Sequence, residues 1–295
     1  MITIYDYTTS QALNLAEMGR HRTSETYLSA LRSLMHFCDN PSLQFSQLDT
    51  AFIGRYEAWL RGRHLCRNST SFYMRILRRI YNLAVADGLA PMQSPFLHVY
   101  TGIDKTAKRA ISAIELRRLK VFPLPPDSPL LYARDMFLLS FYLRGMSFID
   151  MAFLRKSDLR NGYISYSRRK TGQLLSIRWE EPMQHIVNRY SPSFTSYLFP
   201  ILQREDGTER RQYLNKQLYV NRKLKVLGRM AELSVPLTMY VARHSWASIA
   251  HNQNIPLSVI SEGLGHDNEN TTRIYLSSVE SSQVDEANRR ILQII

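Results

Sequence analysis

The sequence predicts a mainly α-helical protein of two domains, the second carrying a small antiparallel β-sheet. Three observations predict it. Apolar residues recur at helical spacing through most of the chain, one segment switches to the alternation of strands, and a polar, basic stretch without periodicity separates two halves. With 295 residues, each half is long enough to bury a core of its own.

Residues 1–100 read as helices joined by short punctuated loops: about 9–18, then 24–38 after Thr23, 50–62 after Asp49 and 69–87 after Asn68. The last is the clearest. Tyr73, Ile76, Leu77, Ile80, Leu83 and Ala84 form one apolar stripe, while Arg75, Arg78 and Arg79 fall partly off it, either as a solvated face or as a surface for a phosphate backbone. Gly88, Pro91 and Pro95 break the pattern, and residues 101–111, with Lys105, Lys108 and Arg109, read as the linker. The second domain, residues 112–295, resumes with helices near 113–120 and 128–144. Residues 161–179 then alternate as a β-hairpin whose turn carries Lys170, Thr171 and Gly172, preceded by Arg168 and Arg169. Helices return at about 181–190, 208–228, 242–252 and 257–262, followed by a short one with Tyr275 and a last one from about 282.

Charge points to a polyanionic partner. The 38 Lys and Arg against 25 Asp and Glu give +13 and an isoelectric point near 9.8, which favours nucleic acid, with an anionic membrane surface as the rival. No apolar run approaches the roughly 20 residues of a spanning helix, and the amino terminus lacks the pattern of a secretory signal, so a cytoplasmic protein is expected. Cys38 and Cys66 lie in helix-like segments without metal-ligand spacing and read as reduced packing residues; neither a disulfide nor a bound metal is expected.

The densest chemistry lies in YVARHSWA (residues 240–247) and GLGHDNENTTRIYL (residues 263–276). Arg243 offers a fork of N–H donors to a phosphate, His266 can donate a hydrogen bond or move a proton, and Tyr275 is a candidate nucleophile. Taken alone, His266 after a glycine is commonly a loop histidine, Tyr275 in RIYL a core residue, and Lys170 in RRK solvated charge. Their ordered spacing favours one phosphate-handling site.

On these motifs the chain resembles the tyrosine recombinases of the phage integrase family over nearly its whole length. That family's second box carries a histidine three residues before an arginine, an RH pair, a helix, LGH, and a nucleophilic tyrosine nine residues after that histidine. Arg243, His244, Leu264, Gly265, His266 and Tyr275 occupy the corresponding positions, and Lys170 stands before Thr and Gly as the family's hairpin lysine does. The resemblance implies a SAM-like helical core-binding domain followed by a catalytic domain, together clamping duplex DNA. It implies attack by Tyr275 on a phosphodiester, a covalent 3′-phosphotyrosyl link, and rejoining without cofactor or ATP. Lys170 would protonate the leaving 5′-oxygen, and Arg243 with a second arginine would hold the phosphate.

Two positions depart from the family pattern. Aligning RGMSFIDMAFL on the first box places Asp150 and Leu154 correctly but puts Ser147 where the first arginine belongs. Arg144 lies about one turn earlier if the helix continues, and is expected to deliver its guanidinium to the same phosphate. Its alternative is a structural role, pairing with Asp150 or capping carbonyls at the helix end. Tyr240 replaces the first histidine of the second box; its phenol can donate to a phosphate oxygen but is no base near neutral pH. His244 points about 100° away on a helix and reads as packing.

The resemblance further implies a homotetramer on double-stranded DNA, with an accessory DNA-bending protein as a partner some members use. The amphipathic C-terminal segment, with Val284, Ala287, Ile291, Leu292 and Ile295, would dock on a neighbouring protomer or on its own domain. The early start of the core-binding helices leaves no room for a separate arm-site domain. Two other readings share these residues: a DNA-binding protein on the same fold with impaired cleavage, and a relaxing enzyme like the type IB topoisomerases.

Overall fold

The chain divides into two compact units, Met1–Thr106 and Ala107–Ile295, in a computed structural model that describes residues 2–104, 109–190, 194–266, 268–276 and 292–293, with residues 274–276 described by their backbone. Lys105 and Lys108, and the apolar positions Val284, Ala287, Ile291 and Ile295, lie outside the described residues. None of the described helices is long and apolar enough to cross a membrane.

In the first unit, α1 spans Ile4–Glu17, starting earlier than the periodicity suggests because the Thr3 hydroxyl caps it by accepting the Asp6 N–H at 3.0 Å. Thr8, just before the predicted start, sits inside the helix and is fully buried. α2 spans His21–Cys38 and α3 spans Thr50–Gly62, the latter capped by Asp49, whose carboxylate accepts the Phe52 N–H at 2.6 Å. α4, Arg67–Ala86, buries Met74, Leu77, Ile80, Tyr81 and Ala84, so its inner face is rotated from the predicted stripe: Tyr73, Ile76 and Leu83 lie at its margins. An aromatic group closes the α2–α3 side, with Phe37 against Tyr56 and Trp59, and the buried Tyr56 hydroxyl donating to Ser33 at 2.7 Å.

The first residues of the segment read as linker are fastened to α4. Ser71 donates to the Gly102 carbonyl, the Asp104 N–H donates to Asn68 at 2.8 Å, and Arg67 lies 3.8 Å over the Tyr100 ring. Both cysteines are free, but Cys66 is exposed at the start of α4 and does not pack as expected, because a cap position faces solvent.

The second unit opens with α5, Ala113–Val121, whose first turn forms a reciprocal capping box: the Glu115 N–H donates to the Ser112 hydroxyl and the Ser112 N–H to the Glu115 carboxylate. α6, Pro129–Tyr142, is apolar all round and central, packing on α9, Glu209–Met230, and α10, Met239–Asn252, through Phe137, Leu139, Leu224, Val241 and Ala242. Its one buried acid, Asp135, accepts from Tyr190 at 2.7 Å and from Arg189. A six-residue helix, α7 (Phe148–Phe153), was not foreseen. The sheet has three antiparallel strands in the order β1 (Leu159–Arg160), β2 (Tyr163–Ser167), β3 (Leu174–Arg178), with Ile164 opposite Ile177 and both turned to the core. The short β1 extends the predicted hairpin. α8 (Glu181–Asn188), α11 (Leu257–Leu264) and α12 (Glu269–Leu276) complete the described elements.

Glu115 also joins α5 to the loop before α10, since its second oxygen accepts the Ser234 N–H at 2.7 Å. Desolvation opposes ionisation of this carboxyl, but the backbone N–H groups of Ser112 and Ser234 outweigh it and bring its pKa down to about 2. Because the folded value lies below the ordinary carboxyl value of 4.5, the stabilisation is complete above that value and is lost as pH falls towards about 2. Glu115→Gln is expected to lower stability by about 1–2 kcal/mol near pH 7. The gap between the variant and the parent should close in urea titrations carried down this acid range.

Candidate active site

A turn, a cap and a glycine contact build the site, and each is readable from its residues. α6 ends in a two-bond C-cap in which the Arg144 N–H donates to Phe141 O at 3.1 Å and the Gly145 N–H to Ser140 O at 2.8 Å. This places Arg144 itself at φ 57°, a left-handed conformation costing a non-glycine residue about 1 kcal/mol. The helix therefore does not continue through Arg144, and the one-turn displacement from Ser147 is replaced by a reversal of the chain. Gly145 follows at φ 73°, and a Cβ there would lie 2.6 Å from the Arg243 Cα. Only glycine lets the two backbones meet.

That approach fixes Arg243. The residue is buried, 8% exposed, on the first turns of α10; its Nη1 donates to Gly145 O at 3.1 Å, and its Nη2 donates to Leu264 O and meets His266 Nε2 at 3.1 Å. Three elements, the α6 turn, the end of α11 and the His266 loop, thus converge on one guanidinium. His266 is turned back by Gly265, the left-handed cap of α11 at φ 63°, and its Nδ1 lies 2.7 Å from the fully buried Thr272 hydroxyl on α12.

The hairpin is tied to the same point from the other side. Arg168 is buried and donates from Nη1 to Gly265 O, and a Cβ on Gly265 would lie 3.0 Å from the Arg168 Cδ. Asp150, also buried, accepts the Arg169 N–H at 2.9 Å through one oxygen and the Ser147 hydroxyl at 2.7 Å through the other. Ser147 at the same time caps α7 by accepting the Asp150 N–H. Its hydroxyl is therefore committed to the cap, and Asp150 pairs with Ser147 and the hairpin rather than with Arg144.

These groups surround a cavity of about 500 Å³ lined by Ser147, Arg168, Lys170, Tyr240, Arg243 and His266 among others. No carboxylate is among the described residues that line it. Lys170 and Tyr240 are exposed, Tyr240 stacking edge-on against His244 at 4.4 Å. Arg144 lies outside the lining and half-buried, yet near enough to act electrostatically on Tyr166 together with Arg168 and Arg243. Burial is the larger influence on Tyr166 and pushes its hydroxyl up, Asp150 adding to it, while the three arginines pull the other way. Tyr275 stands on α12 one turn beyond Thr272; its side chain is outside the described residues.

Of the other predicted DNA contacts among the described residues, Arg168 lines the cavity. Arg78 and Arg79 are exposed on α4, with Arg78 donating to Thr101 at 3.1 Å, whereas Arg75 turns back to the Ser71 carbonyl. Arg109 is exposed, and Arg169 lies 4.0 Å over the Phe153 ring. Arg168, predicted with Arg169 as a DNA contact, is buried. Sequence reasoning passed over Thr272, and also α9, where Arg211, Arg222, Lys225 and Arg229 are exposed; the dense basic run of RRQYLNKQLYVNRKLKVLGR was the available signal.

Comparison with known proteins places this geometry. Residues 3–99 match the profile of the phage integrase SAM-like domain, and residues 128–281 match that of the phage integrase family. No curated protein matches the chain. Among solved structures, a lambda integrase dimer (residues 75–356) bound to a COC′ core site is 17% identical, with 93% of this chain and 95% of that chain covered at a TM-score of 0.68. The Tn1549 transposon integrase in complex with a circular intermediate DNA is 16% identical, covering 97% of this chain and 100% of that one at 0.68. The XerH site-specific recombinase bound to a palindromic difH substrate, a post-cleavage complex, is 17% identical, covering 95% and 84% at 0.63. At such identities the structural likeness establishes the fold, and the sequence profile, spanning more than half of the chain, establishes the kinship. The chain belongs to the phage integrase family, the tyrosine-type site-specific DNA recombinases.

Proposed function

We propose that the cavity holds one phosphodiester of duplex DNA and that Tyr275 cuts and rejoins it. The observation that carries this reading is Arg243: a buried guanidinium held by two carbonyls and an imidazole. They orient it at the wall of a cavity lined also by Arg168 and Lys170. Such a site favours an anion.

In the reaction the Tyr275 oxygen attacks phosphorus, a P–O bond to tyrosine forms, and the bond to the 5′-oxygen breaks. Charge accumulates on the non-bridging oxygens, where Arg243 and, from the end of α6, Arg144 act as clamps. The Tyr240 phenol donates to one of these oxygens in place of the histidine its family usually carries there. Lys170, exposed on the hairpin turn, protonates the leaving oxygen. The reverse attack by a partner strand's 5′-hydroxyl rejoins the DNA. Arg78 and Arg79 on α4, Arg109, and the exposed cations of α9 contact the phosphate backbone away from the cut. Four protomers assembled on DNA would exchange the strands, as the structural relatives include a lambda integrase tetramer bound to a Holliday junction.

A nicked duplex bearing the native site traps the covalent step. The parent protein is expected to form an adduct that withstands denaturing electrophoresis, and Tyr275→Phe should form none; DNA-bound parent protein without adduct would favour a DNA-binding protein on this scaffold. Arg144→Ala should slow adduct formation by roughly two orders of magnitude, about 3 kcal/mol of lost anion stabilisation. A rate equal to the parent's would leave Arg144 with only its turn-forming role.

A further inference from the structure

We propose that Thr272 is a positioning residue that fixes His266 as its Nδ1–H tautomer, so that a lone pair on Nε2 faces the cavity. This assignment rests on the cavity being the phosphate site and adds to it the protonation state of its histidine. A guanidinium has donors only, so the 3.1 Å contact from Arg243 Nη2 requires Nε2 to accept. A neutral imidazole carries one N–H, which is then on Nδ1, and that atom lies 2.7 Å from the Thr272 hydroxyl oxygen. Thr272 is fully buried on α12, and the imidazole lines the cavity.

Both contacts are needed. Arg243 asks for a lone pair, and Thr272 receives the buried proton that the lone pair displaces to the far side of the ring. Without the hydroxyl, Nδ1–H would lose this buried acceptor, which favours the tautomer carrying its proton on Nε2.

The chemical consequence bears on the step that Tyr240 leaves open, since a phenol is no proton acceptor near neutral pH. In the form held by Thr272, His266 presents to the cavity a nitrogen able to take a proton. When a phosphate oxygen takes the Arg243 Nη2–H that faces His266, with the Leu264 and Gly145 bonds kept, Nε2 is released. The proton given up by the attacking phenol then passes to Nε2, leaving an imidazolium whose two N–H groups point to Thr272 and to the phosphate. The same proton returns to the phenol when the strand is rejoined, so none is consumed.

Long-range proton–nitrogen NMR of the full-length protein, labelled at histidine and free of DNA, reads the tautomer directly, with His266→Gln identifying the signals. We expect a protonated Nδ1 and an unprotonated Nε2 in the parent, a shift towards the Nε2–H form in Thr272→Val, and the parental pattern in Thr272→Ser. Adduct formation on the nicked duplex should fall about tenfold in the Val variant at unchanged DNA affinity and return in the Ser variant. A parental Nε2–H form, or a Val variant that keeps both the parental tautomer and the parental rate, would overturn the proposal. So would a Ser variant as slow as Val, because the lost hydroxyl would then not be the cause. The spectrum is taken without DNA, so it decides the tautomer independently of whether the parent cleaves, which the nicked substrate decides separately.

Discussion

The convergence of three chain segments on the Arg243 guanidinium is the constraint from which the rest of the site follows. A buried cation is costly unless its donors are met, and the chain meets them with the Gly145 carbonyl, the Leu264 carbonyl and His266. Each acceptor is the end of an element: the turn closing α6, the last turn of α11, and the loop that follows it. Because carbonyls at helix ends are left without intrahelical partners, these are the acceptors a helical fold has to offer. The arginine satisfies them, and they in turn hold its plane.

The hairpin is bound to the same joint by independent means. Arg168 reaches the Gly265 carbonyl beside His266, and Asp150 links the α7 cap to the backbone of Arg169, so the residues flanking the turn are anchored while Lys170 and Thr171 stay exposed. A rigid base under a free tip suits a general acid that must reach a leaving group and withdraw. The two tight glycines serve the same economy of space, Gly145 against the Arg243 backbone and Gly265 against the Arg168 side chain. A Cβ at Gly145 would meet the Arg243 backbone, and one at Gly265 the side chains of Gln173, Leu175 and Arg168.

Much of this was legible in the sequence, and the omissions have physical reasons. The spacing of Arg243, Gly265 and His266, the hairpin with its lysine turn, and the helices capped by Asp49 or followed by an apolar stripe were all readable, because they rest on local chemistry. α6 ends before Arg144 rather than running through it; a non-glycine residue in the left-handed region is uncommon, and nothing in YLRGM announces it beyond the glycine that follows. Ser147 takes the place of the family's first arginine, and in SFID its hydroxyl serves as the N-cap of α7. Arg168 reads as one more surface cation in RRK, and its burial depends on where Gly265 comes to lie, ninety-seven residues away. Thr272 gave no signal at all, because a threonine in a short helix acquires meaning only from the imidazole packed against it.

The central claim is that Arg243 acts through the geometry of its guanidinium and not through charge alone. Single-turnover cleavage of a nicked duplex by Arg243→Lys tests it most directly, because lysine retains the charge but cannot span the acceptors and the phosphate together. The expected rate is at least about a hundredfold below the parent's, with duplex affinity unchanged. Cleavage within about threefold of the parent would contradict it.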